Sequence, residues 1–401
     1  MNDIQIGKLL KTEKTPLYIF DLDELLERIK LLRERLPDKV KLCYAVKANS
    51  FILEEVNNAV DRLEICSPGE LSICQRLKLP PEKFVISGVY KEAALMEQLI
   101  YGENTVGHYT VESMSQFKLL HDTAVKYSKK ISLLLRLTSG NQFGLEEREI
   151  ERLIEQYKDA PFVDIAGIQY FSGTQKNSVK RLRRETEYVD CYINKLQEHY
   201  GLEIKELEFG PGFPVAYFDG EDFDEVHFME EFSSMISNMS FKGKIVLELG
   251  RSIAASCGTY VTKVVDTKVN HGQNYGIVDG GMNHIVYYGQ SMAMKQPVCR
   301  KLFSDKDGEK EKWNICGSLC TANDILIKQF PLWNLQIGDV LVFSNTGAYC
   351  MTEGISLFLT RDLPEIILIK QGNAPQIVRG SVPTDYFNTP QRRENNYGKI
   401  N

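Results

Sequence analysis

No apolar run in the 401 residues approaches the length of a membrane span. There is no basic surplus either. Lysine and arginine number 48 against 54 acidic residues, a formal net charge of −6, the reverse of the balance that nucleic-acid binders carry. Internal repeats and low-complexity tracts are missing. The opening stretch to Pro16 mixes Lys8, Lys11 and Lys14 with Asp3 and Glu13 between short apolar pieces, the pattern of neither a signal nor a transit peptide. The nine cysteines are an odd number, and the one suggestive pair, Cys316 and Cys320, has no second pair or nearby histidine to complete a zinc site. These absences predict a cytoplasmic protein with reduced thiols, no metal site, and neither membrane nor nucleic acid as partner.

What is there is a chain long enough for two domains. A helical pattern over 21–35 is followed by short apolar runs at 41–47, 63–67, 83–88, 105–111, 131–137, 164–171, 207–213 and 244–249. Longer amphipathic stretches separate them, such as 67–77, 112–127, 146–157 and 177–200. That alternation predicts parallel βα units of an α/β fold. Eight such units close into a TIM-like (β/α)8 barrel, although periodicity alone also permits an open doubly wound sheet. Past Cys257 the runs at 260–269, 275–278, 313–316, 340–343 and 365–369 read as strands between turns. The expected division is a barrel over 21–255, a mostly β domain from 1–20 and 256–384, and a mobile tail over 385–401.

Parallel barrels carry their chemistry at the C-terminal strand ends. Here those ends hold Lys47, Ser67, Gly88, the stretch from Tyr170 to Thr174, Gly210-Pro211-Gly212-Phe213 and Glu248-Leu249-Gly250-Arg251. If Lys47 sits on its strand, it points into the barrel with Cys43 and Ala45. A buried ammonium is costly, and Schiff-base formation would remove that cost; a lysine snorkelling from a strand end is the alternative. Gly210, Gly212, Gly250 and Arg251 follow the last two strands, where phosphate sites recur in this fold, and Arg251 adds charge-assisted hydrogen bonds. Glu248 ends an apolar strand and needs a positive partner. A protonated pyridine nitrogen would serve, and so would a salt bridge. Together these residues suit pyridoxal 5'-phosphate (PLP).

The segment Tyr44-Ala45-Val46-Lys47-Ala48-Asn49 resembles the PLP-lysine motif of the fold-type III decarboxylases, the group of diaminopimelate and ornithine decarboxylases. Cys66 to Leu71, Gln142-Phe143-Gly144, Gly173-Thr174-Gln175, Glu248 to Arg251, Asp279 to Asn283, Cys320 and Gly347-Ala348-Tyr349 follow in the family's order. The resemblance implies an alanine-racemase-like two-domain architecture and α-decarboxylation through a Lys47 Schiff base. It places Glu248 at the pyridine nitrogen, and the 210–212 loop, Gly250, Arg251, Thr174 and Tyr349 at the phosphate. It also implies a homodimer with active sites at the interface, where Cys320 reaches the partner's site and returns a proton to Cα.

Several positions depart from that pattern. Phe171 stands where the family stacks a histidine on the ring. The arginine that holds the distal carboxylate of diaminopimelate is absent after Met282-Asn283, Thr321 replaces an acid beside the cysteine, and the segment 136–143 is short. Tyr287, Thr321 and Asp324 are the substrate-pocket candidates. These variants resemble the glutamyl-carrier-protein decarboxylases of aminoglycoside assembly and the siderophore-pathway decarboxylases, so a small-molecule or carrier-linked amino acid is expected. A basic run, Lys176, Lys180, Arg181, Arg183 and Arg184, would suit an acidic carrier or be a solvated face balanced by Glu185 and Glu187. A true diaminopimelate or other basic amino-acid decarboxylase is the alternative within the family. An inactive homologue acting as a regulatory binding protein is the alternative outside it.

Overall fold

The computed structural model describes residues 1–103, 105–291, 293–304 and 308–390. It divides into two compact units, one of residues 21–216 and 220–257, the other of 1–20, 217–219 and the described residues from 258 onward.

After β1 (Leu17–Asp21), eight parallel strands form a closed barrel: β2 (Val40–Ala45), β3 (Arg62–Ile65), β4 (Phe84–Ile86), β5 (His108–Val111), β6 (Ile131–Leu137), β7 (Val163–Phe171), β8 (Glu206–Gly210) and β9 (Lys244–Leu249). The ring closes because β9 pairs with β2, with Cys43 opposite Glu248. Closure decides against the open sheet. These strands read as near-continuous apolar runs because helices cover one face while side chains fill the inside. Cys43, Val85, Leu134, Ala166 and Val246 form a buried apolar cluster in this unit.

Two local features differ from the sequence reading. The strand carrying Lys47 stops at Ala45, and Lys47 lies in a 3-10 turn, Val46–Ala48. Asn49 fixes the exit from that turn: its carbonyl accepts the Tyr44 hydroxyl at 3.0 Å and its side chain accepts the Phe51 amide at 2.9 Å. Strand alternation therefore does not aim Lys47; this braced turn does. Next, Ser67 caps the helix Pro68–Arg76 by accepting from the Glu70 amide, and the Glu70 carboxylate accepts in turn from the Cys66 amide at 2.7 Å. Proline at the first helical position suits this start.

The second unit is largely β. Its strands are β1, β10 (Gly258–Asn270), β11 (Gln273–Val278), β12 (Cys299–Lys301), β13 (Glu311–Cys316), β14 (Ile325–Leu332), β15 (Val340–Phe343), β16 (Glu365–Ile369) and β17 (Gln376–Arg379). They form one sheet in the order β14-β13-β11-β10-β1-β16-β17, with β15 joining β10 to β12. Gly258 lets a loop approach closely, since a Cβ there would lie 2.1 Å from the Gly347 amide nitrogen. Of the tail expected to be mobile, Asp385–Asn388 forms a short helix, and residues 391–401 lie outside the described residues. No helix among the described residues is long and apolar enough to cross a membrane.

Candidate active site

The pairing of β2 with β3, which sets Ala45 opposite Glu64, brings Lys47 beside a carboxylate 17 positions away. Its ammonium donates to Glu64 Oε2 at 2.7 Å and contacts Cys66 Sγ at 3.3 Å. Cys66 donates to the other Glu64 oxygen at 3.2 Å. Burial alone would raise the Glu64 carboxyl, but the Lys47 charge and hydrogen bond hold it below its ordinary value. Glu64 therefore stays ionised beside the ammonium and fixes its position through a charge-assisted hydrogen bond.

Further round the barrel, the amide nitrogen of Gln169 donates to Glu248. The Glu248 carboxyl is pushed up, first by burial and next by the charge of Glu64. Glu208, one strand over, has no solvent exposure. Burial and the Glu248 charge raise its carboxyl well above the usual range. Arg62 forms a close two-nitrogen pair with Glu206 and approaches Glu208 at 3.4 Å.

The Gly210–Phe213 loop after β8 makes a cradle that side chains would fill. A Cβ on Gly212, which sits at φ +61, would lie 2.1 Å from the Gly173 carbonyl oxygen, and one on Gly210 would lie 2.3 Å from the Phe171 ring. The buried Arg251 donates from Nε to Thr174 Oγ1 at 3.3 Å. Gln175 braces the loop, donating to the Val215 carbonyl at 3.0 Å and accepting from the Val215 amide at 2.7 Å. A guanidinium, a hydroxyl and glycine backbone amides are the donors a phosphate dianion needs. With an amine, a ring-nitrogen partner and an aromatic face over Gly210, the residues present fit PLP. Gly212→Ala should combine left-handed strain with a backbone clash, costing about 1–3 kcal/mol. It should appear as weaker cofactor binding by fluorescence titration or as a lower Tm; unchanged values for both would refute the cradle.

The basic run is an exposed face balanced in part by Glu185, except for its first member. The helix begins at Val179, and Lys176 is buried before it, donating to Glu185 Oε2 at 2.6 Å and Ser172 Oγ at 2.9 Å. Arg181 also pairs with Glu185, and Arg183 with Glu231, both at 2.9 Å. Lys176 and Glu185 thus tie the strand β7 loop to its helix beside the cradle, which local charge counting could not show. Lys180, Arg181, Arg183 and Arg184 are all exposed.

In the second unit Cys320 is exposed, on the loop between β13 and β14. Asp324, expected as a substrate contact, is instead buried and committed to backbone. Its two oxygens accept the Met282 and Leu319 amides, each at 2.8 Å. A Cβ at Gly317 would lie 2.2 Å from it. Tyr287 is a core residue too, its hydroxyl donating to the Ser344 carbonyl at 2.7 Å. Thr321 is half-buried beside Cys320, with its carbonyl accepting the Asp324 amide at 3.2 Å. Tyr349 follows Gly347-Ala348 in a left-handed conformation, φ +63. Lys47, Phe171, Thr174, Gly210, Gly212, Glu248, Gly250 and Arg251 fall in the barrel unit, and Cys320 and Tyr349 in the other. Glu64, Gln169, Glu208 and Lys176 were missed. Strand-end glutamates were a usable signal for the first; their pairings needed the barrel.

The family model described as "Pyridoxal-dependent decarboxylase, pyridoxal binding domain" matches residues 22–255. The chain belongs to this family of pyridoxal-dependent decarboxylases. The L-glutamyl-[BtrI acyl-carrier protein] decarboxylase of Niallia circulans is 26% identical to this decarboxylase over 99% of the chain and 98% of the relative. The 2-[(L-alanin-3-ylcarbamoyl)methyl]-2-hydroxybutanedioate decarboxylase of Staphylococcus aureus is 28% identical over 90% and 96%. Among solved structures, diaminopimelate decarboxylase from Helicobacter pylori complexed with L-lysine superposes with a TM-score of 0.84, covering 95% of this chain and 98% of that one, at 22% identity. The decarboxylase is thus a PLP-dependent carboxy-lyase acting on an amino acid or amino-acid derivative.

Proposed function

We propose that this enzyme decarboxylates an amino acid carried on a larger scaffold, such as a carrier-protein thioester, with Lys47 as cofactor lysine. The observation that carries the assignment of Lys47 is its 2.7 Å pair with Glu64, in the barrel unit that also holds Glu248 and the 210–212 cradle. The bound cofactor supplies an electron sink for the pair left at Cα when CO2 departs. Glu64 holds the Lys47 amine in place, Gln169 orients Glu248 toward the ring nitrogen, and Phe171 covers a ring face. Arg251, Thr174, Gly250 and the amides of Gly210 and Gly212 hold the phosphate, with Tyr349. Cys320 delivers the proton to Cα from the second subunit of a cytoplasmic homodimer, and Asp324 acts only by fixing the Cys320 loop.

Four features support a carried substrate. The most extensively covered relative above acts on a carrier-bound glutamyl group, no arginine follows Met282-Asn283, and Thr321 replaces an acid. The β6 loop also returns tightly, with the Leu145 amide bonded to the Arg136 carbonyl at 2.7 Å and the Arg136 guanidinium 4.8 Å from the Phe143 ring centre. CO2 release from the purified holoenzyme should be at least tenfold faster, as kcat/KM, for a carrier-thioester amino acid than for free diaminopimelate, lysine or ornithine. Faster turnover of free diaminopimelate would establish the alternative substrate instead. No CO2 from any of them, with the cofactor absorbance intact, would favour a regulatory binding protein.

A further inference from the structure

Five glutamates, Glu64, Glu112, Glu206, Glu208 and Glu248, lie in the barrel strands or directly after them. Among the described residues, the nearby cations go first to three of these. Lys47 meets Glu64 at 2.7 Å, Arg136 meets Glu112 at 2.9 Å, and Arg62 meets Glu206 with two nitrogens. Glu208 receives only the 3.4 Å edge of Arg62, and Glu248 receives a neutral amide, Gln169. Gln169 lies directly opposite Glu208 across β7 and β8, and Glu208 lies opposite Val246, two residues before Glu248. Gln169 Oε1 and Glu208 Oε1 are both buried without a hydrogen-bond partner among the described residues. Two carboxylates in such a place cannot both ionise without heavy cost. One proton on the pair relieves this and supplies the donor the cluster otherwise lacks.

We propose that Glu208 is a positioning residue that stays protonated in the working enzyme and donates to Glu248, which keeps a second proton on the ring nitrogen of the bound cofactor. The inference rests on Glu248 being the ring-nitrogen partner. Its logic is competition for that second proton. A buried carboxylate with only an amide donor is strongly basic and would draw the proton from the ring nitrogen. A ring without its positive charge is a poorer electron sink. A hydrogen bond to the charged carboxylate weakens its basicity. Glu208 therefore acts through Glu248 and never touches substrate. The charged and titratable groups set around it are Arg62 and Glu64 from β3, Cys43 from β2, Glu206 on its own strand and Glu248 on β9.

The test uses holoenzyme reconstituted with cofactor labelled with 15N at the ring nitrogen, read by solid-state NMR beside the absorbance pH profile. Wild type should show a protonated ring nitrogen. Glu208→Leu, or Glu208→Ala if the leucine variant does not fold, should lose that signal and lower kcat by roughly a hundredfold, as loss of a preorganised donor does. Glu208→Gln keeps a neutral donor and should restore both the protonated-ring signal and most of the lost rate. A protonated ring in Glu208→Leu would overturn the proposal and leave Glu208 a structural residue. An unprotonated ring in Glu208→Gln would overturn it as well, since a charge rather than a proton would then be needed. The control Glu248→Gln separates the two levels. If it leaves the ring protonated, the Glu248 assignment itself fails; if it removes the proton while Glu208→Leu does not, only the role of Glu208 fails.

Discussion

Lys47→Ala should lower kcat by roughly four orders of magnitude or more, the scale on which enzymes lose rate when the covalent group is removed. The loss should come with a second, activity-independent change. The absorbance band near the visible edge that marks cofactor joined to lysine should vanish after gel filtration of the reconstituted variant. Several other cations of the barrel unit are already engaged. Lys176, also in the barrel unit, is committed to Glu185, Ser172 and the Gly210 carbonyl. Arg62 and Arg136 are guanidinium groups held by Glu206 and Glu112, and they stay charged. Retention of the band after gel filtration, with activity within tenfold of wild type, would place the cofactor lysine elsewhere.

The largest effect on stability is expected at Arg62. Its side chain is 11% exposed, and the two carboxylates it meets are 4% and 0% exposed. Arg62→Ala leaves both without their guanidinium, a change that costs about 3–5 kcal/mol when one partner of a buried pair is removed. The loss should depend on pH with a defined sign. Burial and the Glu248 charge already hold the Glu208 carboxyl above its unfolded value, and loss of Arg62 removes the charge that opposes this rise. Groups of that kind stabilise the fold fully below about pH 4.3 and lose this contribution as pH rises through the folded values. Urea unfolding of the apoprotein should therefore show a larger deficit at pH 8 than at pH 5. A deficit under about 1 kcal/mol, or one equal at both values, would contradict the assignment of a buried ion pair.

Much of the barrel could be read in advance because parallel strands packed on both faces leave unbroken apolar runs, and Ile131–Leu137 and Lys244–Leu249 coincide with their candidate strands. β1 was not among the candidates, since five residues directly before a helix carry no separate period. The identity of the chemistry was legible at Lys47, Glu248 and the glycine cradle, where each residue type is expensive unless used. The relations between residues were not. Glu64 and Lys47 meet because β3 follows β2 in the ring, while Glu208 and Glu248 become neighbours only when β8 pairs β9. Arg183 finds Glu231 across 48 positions, so a run that looked like an open basic surface is partly neutralised by another helix. Asp324 misled for a related reason: a carboxylate near a reactive cysteine looks functional until its oxygens are found occupied by two backbone amides.

That same carboxylate makes the Cys320 segment a replaceable cartridge. Its clasp closes on Met282 and Leu319, outside the stretch Cys320–Asn323. Thr321, Ala322 and Asn323 can therefore be exchanged as a block while the anchoring residue and both its attachment points remain in place. Directed libraries confined to those three codons would explore new selectivity on an unchanged mount, whereas a change at Asp324 would loosen the whole insert.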